Sequence, residues 1–133
     1  MAKSRLTYPS DLAASGIAPI SAAVRWGDLL FLSGFVPLDP RSRHAIGDNV
    51  ESQANAVLEQ LREALERAGS DLAHVLRLEC FLSRAADFDG WNRAFARYFP
   101  EAPPARITQV AQFVEPDVLI QVSGIAAVPG DES

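Results

Sequence analysis

Cysteine, histidine and runs of basic residues are all scarce in this chain of 133 residues. The single cysteine, Cys80, excludes an intrachain disulfide, and two histidines without a Cys/His cluster argue against a zinc site. The formal net charge is −5 at pH 7, and no lysine- or arginine-rich run is present. This balance argues against nucleic acid and against an anionic membrane surface as partners, because both are bound through clustered positive charge.

Long apolar segments are absent as well. No apolar run approaches the length of a membrane span, and no apolar signal core follows the basic residues 1–5. We therefore expect a cytoplasmic protein. The length and the ordinary hydrophobic fraction of 48% fit one globular domain over residues 1–133, with an irregular N-terminal arm over 1–20 and a frayed tail over 129–133.

The spacing of apolar residues predicts an order β-β-α-β-α-β-β. The predicted strands are 21–26, 29–32, 75–82, 105–113 and 118–128, and the predicted helices are 49–68 and a segment from Asp87 to 98. Asp48 and Glu51 have the spacing of a capping box, and Gly69 suits a C-terminal stop. The run 29–32 is continuously apolar and predicts a buried strand, while Glu115-Pro116-Asp117 predicts a turn between the last two strands.

This order favours an α+β fold in which both helices cover one face of a mixed sheet. The second face also needs cover, because the predicted strands carry apolar residues on both sides. We expect another subunit to supply that cover.

Arg106 is the residue on which the functional interpretation depends. It follows Pro103-Pro104-Ala105 at the head of an apolar strand, where a guanidinium group is costly unless it is paired. One hypothesis makes Arg106 an anchor for a substrate anion, since its planar fork suits a carboxylate. The other makes it the partner of a structural aspartate or glutamate. On the last strand, period-two alternation brings Gln121 and Ser123 to the same side.

Several motifs, taken together and in order, resemble the Rid (YjgF-type) family of reactive intermediate deaminases. They are Gly27-Asp28-Leu29-Leu30-Phe31-Leu32-Ser33-Gly34 with Val36-Pro37, the helix ending Glu66-Arg67-Ala68-Gly69-Ser70, Asp87-Phe88 with Asn92 and Tyr98-Phe99, and Pro104-Ala105-Arg106. The resemblance runs from about Ser21 to Val128. It implies a chorismate-mutase-like α+β fold and a homotrimer with clefts between subunits. It also implies hydrolysis of short-lived enamines and imines, such as 2-aminoacrylate, to a 2-keto acid and ammonia, without a metal or an organic cofactor.

The resemblance also implies roles for single residues. Arg106 matches the arginine that holds the substrate carboxylate, and Ser33 and Gly34 match the pocket wall. Asn92 matches a recurring asparagine on the second helix, for which a structural bond from helix to loop is the simpler interpretation. Thr108 stands where many members have cysteine, so thiol chemistry is not required.

Two departures concern the chemistry itself. Gln121 stands where many deaminating members have a glutamate, and an amide can position water but cannot act as a general base. Ile20 stands where such members have a tyrosine. Together with Phe35, it predicts a less polar pocket for a bulkier substrate. Glu79, Glu115 and Asp117 are the carboxylates that could substitute for the missing glutamate.

Three functional hypotheses follow. The first is a deaminase in which Arg106 holds the carboxylate of an imine or enamine and Gln121 positions the water. A variant of it acts on a larger conjugated enamine of the aminomuconate type. The second, motivated by Gln121, is a non-catalytic trimer that binds small carboxylates. The third is a trimer that acts through its surface on other proteins.

Overall fold

The structure is a computed structural model, and it describes residues 4–130. The strands are β1 (Arg5–Pro9), β2 (Ser21–Trp26), β3 (Leu29–Phe35), β4 (Val75–Leu82), β5 (Ala105–Val110) and β6 (Ile120–Ala127). The helices are α1 (Asp11–Ala14), α2 (Val50–Arg67) and α3 (Phe88–Tyr98), with short 3-10 turns at Leu72–His74 and Ala85–Asp87.

The six strands form one mixed sheet in the order β1-β2-β3-β6-β4-β5. Every neighbouring pair is antiparallel except β4 and β5, which run parallel and are connected through α3. The predicted α+β class with a mixed sheet is therefore confirmed. The turn at 115–117 does not join a hairpin, because β6 pairs with β3 and β4 rather than with β5. Both last strands are also shorter than predicted.

The core lies between one face of the sheet and helices α2 and α3. Buried side chains of α2 such as Leu58, Leu61 and Leu65 join a single cluster with Trp91 of α3 and with sheet residues. The sheet supplies the buried residues of alternating strand positions, namely Leu30, Leu32, Leu78, Cys80, Ile120 and Val122. Both long helices thus cover the same face, as the sequence predicted, and we call this the helix face and the other one the open face.

The open face carries the apolar residues that the helices do not cover. Leu29 and Phe31 are 40% and 44% exposed, whereas Leu30 and Leu32 between them are buried. The prediction of a fully buried strand at 29–32 is therefore wrong for a single chain, because successive side chains of a strand point to opposite faces. Trp26 and Ile107 are further exposed apolar residues of β2 and β5.

The N-terminal arm is more regular than predicted. Residues 5–9 form β1 at the edge of the sheet, paired with β2, and residues 11–14 form the single turn α1. The Ser10 hydroxyl accepts a hydrogen bond from the amide of Ala13, 3.1 Å away, and so caps that turn. In the tail, Pro129 and Gly130 have no regular structure, and residues 131–133 lie outside the described part of the chain.

Helix α2 begins one residue later than the Asp48 cap predicted. The capping box is formed by Asn49 and Ser52, with the Asn49 Oδ1 accepting from the Ser52 amide at 2.9 Å. Glu51, the predicted partner in the box, instead pairs with Arg93 and Arg97 of α3. The carboxylate therefore joins the two helices rather than capping one.

A buried glutamine fixes the segment that leads into β6. Gln53 is 2% exposed, and its amide nitrogen donates to the carbonyl oxygen of Asp117 at 2.9 Å and to that of Gly47 at 3.2 Å. Its oxygen accepts from the Leu119 amide at 2.7 Å. Because all three bonds are made inside the protein, the start of β6 is held in register against α2.

The pairing of β4 with β6 leaves no room for a side chain at Gly124, which leads to a first prediction. A Cβ added at Gly124 would overlap the backbone carbonyl oxygen of Arg77, and the Leu78 side chain would lie 3.0 Å away. We expect Gly124→Ala to lower the free energy of unfolding by about 1–3 kcal/mol, because backbone cannot move aside cheaply. Urea unfolding measures the change. Gly130→Ala is the matched control, since a Cβ there meets open space; equal stability of the two variants would contradict the expectation.

The buried thiol of Cys80 leads to a second prediction. Burial raises the pKa of Cys80 from its ordinary 9.0 to about 12, although the charge of Arg106 acts in the opposite direction. Between pH 9 and pH 12 the unfolded chain therefore loses a proton that the folded chain keeps, so the free energy of unfolding should fall as pH rises through this window. Chemical unfolding at several pH values measures the slope. Cys80→Ala should show a shallower slope, and identical slopes would refute the assignment.

Candidate functional site

Arg106 lies on β5, at the outer edge of the sheet and on its helix face. The parallel pairing of β4 and β5 places it opposite Leu78, a core residue, and Thr108 opposite Cys80. Arg106 is half-buried. It therefore extends from an edge strand over the end of the core beneath α3, and it is not a surface arginine in free solvent.

Helix α3 holds the guanidinium group in place. Asn92 Oδ1 accepts a hydrogen bond from Arg106 Nη2 at 2.7 Å, and the Phe95 ring centroid lies 4.6 Å from Arg106 Cζ. Asn92 and Phe95 are three residues apart and so share one side of the helix. The bond of Asn92 thus runs from helix to strand, and the predicted bond from helix to loop is wrong.

No carboxylate of residues 4–130 lies within 4.0 Å of the Arg106 side-chain nitrogens. The hypothesis of a structural ion pair is therefore excluded for the described chain. A half-buried guanidinium group that is stacked on an aromatic ring and oriented by one neutral amide keeps its full charge. Such a group can form a two-pronged, charge-assisted hydrogen bond to a carboxylate.

Two buried polar atoms close to Arg106 are poorly paired. Within the described residues, Trp91 Nε1 has no hydrogen-bond partner, and Thr108 Oγ1 has only the weakly bonding thiol of Cys80 beside it. Thr108 follows Arg106 at the same face of β5, and the Trp91 ring centroid lies 6.0 Å from Arg106 Cζ. Buried polar groups are normally paired, so these two atoms indicate capacity for a polar ligand nearby. We call Arg106, Asn92, Phe95 and Thr108 the arginine group.

The other predicted site residues lie near the middle of the sheet, on β3, on β6 and just before β2. The pairing of β3 with β6 shifts by one residue between Leu32 and Phe35, so Ser33 and Gly34 form a bulge. Ile20, Ser33, Gly34 and Phe35 line a cavity of about 330 Å³ beside this bulge. The Ser33 hydroxyl donates to the carbonyl oxygen of Ser21 at 2.5 Å. The hydroxyl proton of Ser33 is therefore already engaged in a hydrogen bond within the protein.

Gln121 sits directly beside the bulge. A Cβ added to Gly34 would come within 2.6 Å of Gln121 Nε2, so the amide group lies against the glycine backbone. Gln121 and Ser123 are half-buried and alternate with buried Val122, which confirms that they share one side of β6. We call Ile20, Ser33, Gly34, Phe35 and Gln121 the bulge group.

One chain does not bring the two groups together. Pairing places Leu32, Gly124, Leu78 and Arg106 in one row across the sheet. Leu32, just before the bulge, is three strands from Arg106, which is roughly 14 Å at the usual strand spacing. Gln121 lies on the opposite face from Arg106. A small acid bound to Arg106 therefore cannot touch the bulge group of the same chain.

The alternative carboxylates are engaged elsewhere or exposed. Glu115 forms an ion pair with Arg43 at 3.2 Å, and Asp117 is exposed in the turn. Glu79 lies on the open face, where its Oε1 is 3.5 Å from the Ser123 hydroxyl and its Oε2 is 4.0 Å from Arg77. None of the three joins the arginine group.

Some residues around the two groups were not found from the sequence. The helical spacing of the aromatic residues in α3 is typical of a core-facing stripe and does not indicate a site, yet Phe95 supports Arg106. The arm and α2 contribute Leu12 and Ala64 to the cavity beside the bulge, and no local pattern predicts a contact between residues that far apart.

In residues 4–130, no three His, Cys, Asp or Glu side chains are close enough together to hold a metal ion. Every helix in that range is also too short or too polar to cross a lipid bilayer.

Comparison with known proteins identifies the family. The family model described as Endoribonuclease L-PSP matches residues 11–128. A RutC family protein of Saccharolobus solfataricus is 36% identical over 117 residues, which cover 88% of this chain and 93% of that protein. The 3-aminoacrylate deaminase RutC of Acinetobacter baylyi is 33% identical over 112 residues, which cover 84% of this chain and 89% of that enzyme.

A solved structure supports the same family assignment. RidA from the Antarctic bacterium Psychrobacter sp. superposes with a TM-score of 0.81 at 27% identity, over 92% of this chain and 99% of that one. The chain belongs to the Rid, or YjgF, family that the Endoribonuclease L-PSP model describes.

Proposed function

We propose that this protein is a hydrolytic deaminase that converts reactive enamines and imines to 2-keto acids and ammonia. The observation that carries the proposal is the unneutralised charge of Arg106, stacked on Phe95 and oriented by Asn92. A substrate carboxylate would complete the set of hydrogen bonds that this arginine can make. The relative named 3-aminoacrylate deaminase supports the reaction class.

The site becomes complete only if a second copy of the chain contributes the bulge group. The arginine group lies at the β5 edge, and the bulge group lies around the central strands β3 and β6. A cyclic assembly would bring the first group of one subunit to the second group of the next, and a homotrimer fits the family resemblance. The exposed Trp26, Leu29, Phe31 and Ile107 support burial of the open face in such an assembly.

Within that site, each residue has one task. Arg106 holds the carboxylate and draws electron density from the adjacent imine carbon, and the backbone at Ser33 and Gly34 orients the substrate. Water adds to the imine carbon, its proton passes to the basic nitrogen, and ammonia leaves to give the keto acid. Gln121 can accept a hydrogen bond from that water and so position it, but its amide cannot take the proton.

A carboxylate-binding protein without catalysis is the second candidate, and Gln121 favours it. Removal of one general base typically slows a reaction by about 10²–10⁴-fold. Because imines also hydrolyse spontaneously in water, a positioned water and a bound carboxylate leave room for measurable turnover. Pyruvate or 2-ketobutyrate binding without any acceleration of imine hydrolysis would favour this second candidate.

RNA cleavage, which the name of the family model suggests, has less support in this chain. A net charge of −5 repels phosphate backbones, and the sequence contains no basic run. Arg106 is recessed over Phe95 and suits a single small anion better than a phosphate backbone.

The role of Arg106 can be tested by truncation. We expect Arg106→Ala to lower imine hydrolysis to the spontaneous rate, because the substrate loses its only charged anchor, while Arg106→Lys retains part of the rate. The measurement is decay of 2-aminoacrylate and bulkier imines generated in situ. Arg62→Ala, which removes a partly exposed arginine far from both groups of site residues, is the control for lost charge.

Mixing two inactive variants tests the shared site. Gly34→Leu obstructs the bulge group, and Arg106→Ala removes the anchor, so each alone should be inactive. Unfolding the two variants together and refolding them should restore part of the activity, because some interfaces then combine two intact groups. Full activity of Arg106→Ala alone, or no recovery on mixing, would refute the corresponding part of the proposal.

The role of Gln121 can be tested by introducing the missing base. We expect Gln121→Glu to raise the rate of imine hydrolysis by about 10-fold or more, since a carboxylate at that position can accept a proton from water. The pH profile should gain an acidic limb that the wild type lacks. Ser123→Glu, two residues along the same face, is the matched control, and equal effects from both variants would exclude a specific role for position 121.

A further inference from the structure

Gln121 lies in a stretch of β6 that is paired with another strand on one side only. The pairing of β3 with β6 ends at Phe35 and Val122, whereas β4 continues alongside β6 past Gln121. The chain enters this stretch through the irregular segment 111–119, which connects β5 to β6. The position of the Gln121 amide therefore depends on what else holds the start of β6.

A buried side chain of α2 provides this support. The oxygen of Gln53 accepts from the Leu119 amide at 2.7 Å, and its nitrogen donates to the carbonyl oxygens of Asp117 and Gly47. Both donors of the amide group are thus used, and because Gln53 is buried, water cannot easily replace any of these bonds. The amide fixes the backbone two residues before Gln121.

The Gln121 amide has little room to shift. Leu119 also accepts a hydrogen bond from the Ser83 amide at 3.0 Å, so α2 and the end of β4 hold Leu119 together. Further along, the Gln121 amide lies against the backbone of Gly34, where an added Cβ would come within 2.6 Å of Nε2. A displacement of β6 by about 1 Å would redirect this amide, and misplacement on that scale can slow a reaction about 10²-fold.

We propose that Gln53 is a positioning residue for imine hydrolysis, and that it acts by fixing the Gln121 amide beside the attacking water. This inference rests on the proposed function. Gln53 is buried under α2, so its effect on the reaction passes through Leu119 and β6. Carboxylate binding depends on Arg106 at the β5 edge instead. Loss of the Gln53 amide should therefore lower kcat and leave the affinity for a carboxylate nearly constant.

The experiment is a double-mutant cycle on the decay of 2-aminoacrylate generated in situ. Gln53→Met keeps the length of the side chain and removes its three hydrogen bonds. We expect it to lower kcat by about tenfold or more in the wild-type background. In the Gln121→Ala background the further loss should be less than about twofold, because the group that Gln53 positions is already absent. KM and the Kd of pyruvate should also change by less than about twofold, since both depend on Arg106.

Leu61→Ala separates positioning from a general loss of stability. Leu61 is a fully buried core residue of the same helix, and its truncation leaves the bonds to Leu119 in place. This variant should unfold at a lower urea concentration and keep the kcat of the wild type in the absence of urea. Gln53→Asn carries an amide that is one methylene shorter and cannot reach all three partners. It enters the same cycle if Gln53→Met does not fold.

The outcomes are distinguishable. Equal fold losses in the two backgrounds, or a wild-type kcat in Gln53→Met, would overturn the positioning role while Arg106→Ala remains inactive. Wild-type activity of Gln121→Ala would remove the role of Gln121 and this inference with it. Failure of the wild type to accelerate imine hydrolysis would overturn the proposed function as a whole.

Discussion

A single chain can bury only one face of its six-stranded sheet, because it supplies two long helices and both pack on the same side. Apolar residues fill both sets of alternating strand positions all the same. Leu30 and Leu32 are buried beneath the helices, while Leu29 and Phe31 are left at the open face. The exposed apolar face and the divided candidate site both fit the proposal that further copies of the chain complete the site.

The contrast between the arginines explains how charge is distributed in this acidic protein. Arg43, Arg67, Arg84, Arg93 and Arg97 each have a carboxylate within ion-pair distance. Arg106 instead has a neutral amide and an aromatic ring. Exposed ion pairs add little to stability. Arg106 is a half-buried positive charge without such a pair among the described residues, and this suits it to a small anion. The buried, proton-retaining thiol of Cys80 beneath it adds no competing negative charge.

Gln121 and Gly34 illustrate how the sheet can hold a side-chain amide in a fixed position. The bulge in β3 brings the glycine backbone against the amide of Gln121, and the bonds of Gln53 hold the start of β6 in register. A rigid amide that orients water can contribute to hydrolysis of a molecule that already reacts slowly by itself. The same rigidity would serve a binding protein equally well, which is why the chemistry of position 121 separates the two candidate functions.

The sequence by itself determined the secondary structure of the central part of the chain and the α+β class, and it singled out Arg106 as a candidate anion anchor. Periodicity and turn residues are local signals, and they located β2, β4, α2 and α3 to within a few residues. These local signals missed the strand and the helical turn of the N-terminal arm, because the Ser10 cap is a weak signal. They also placed the cap of α2 on Asp48, because Glu51 lies three residues after it, which is the spacing of a capping box. Only the tertiary structure decided that Arg106 lacks a carboxylate partner, that the two groups of site residues lie apart, and that the arm and α2 enclose a cavity. These features depend on contacts between residues that are distant along the chain. The hydrophobic period of a strand is visible in a short stretch of sequence, but the order in which the strands pair is not.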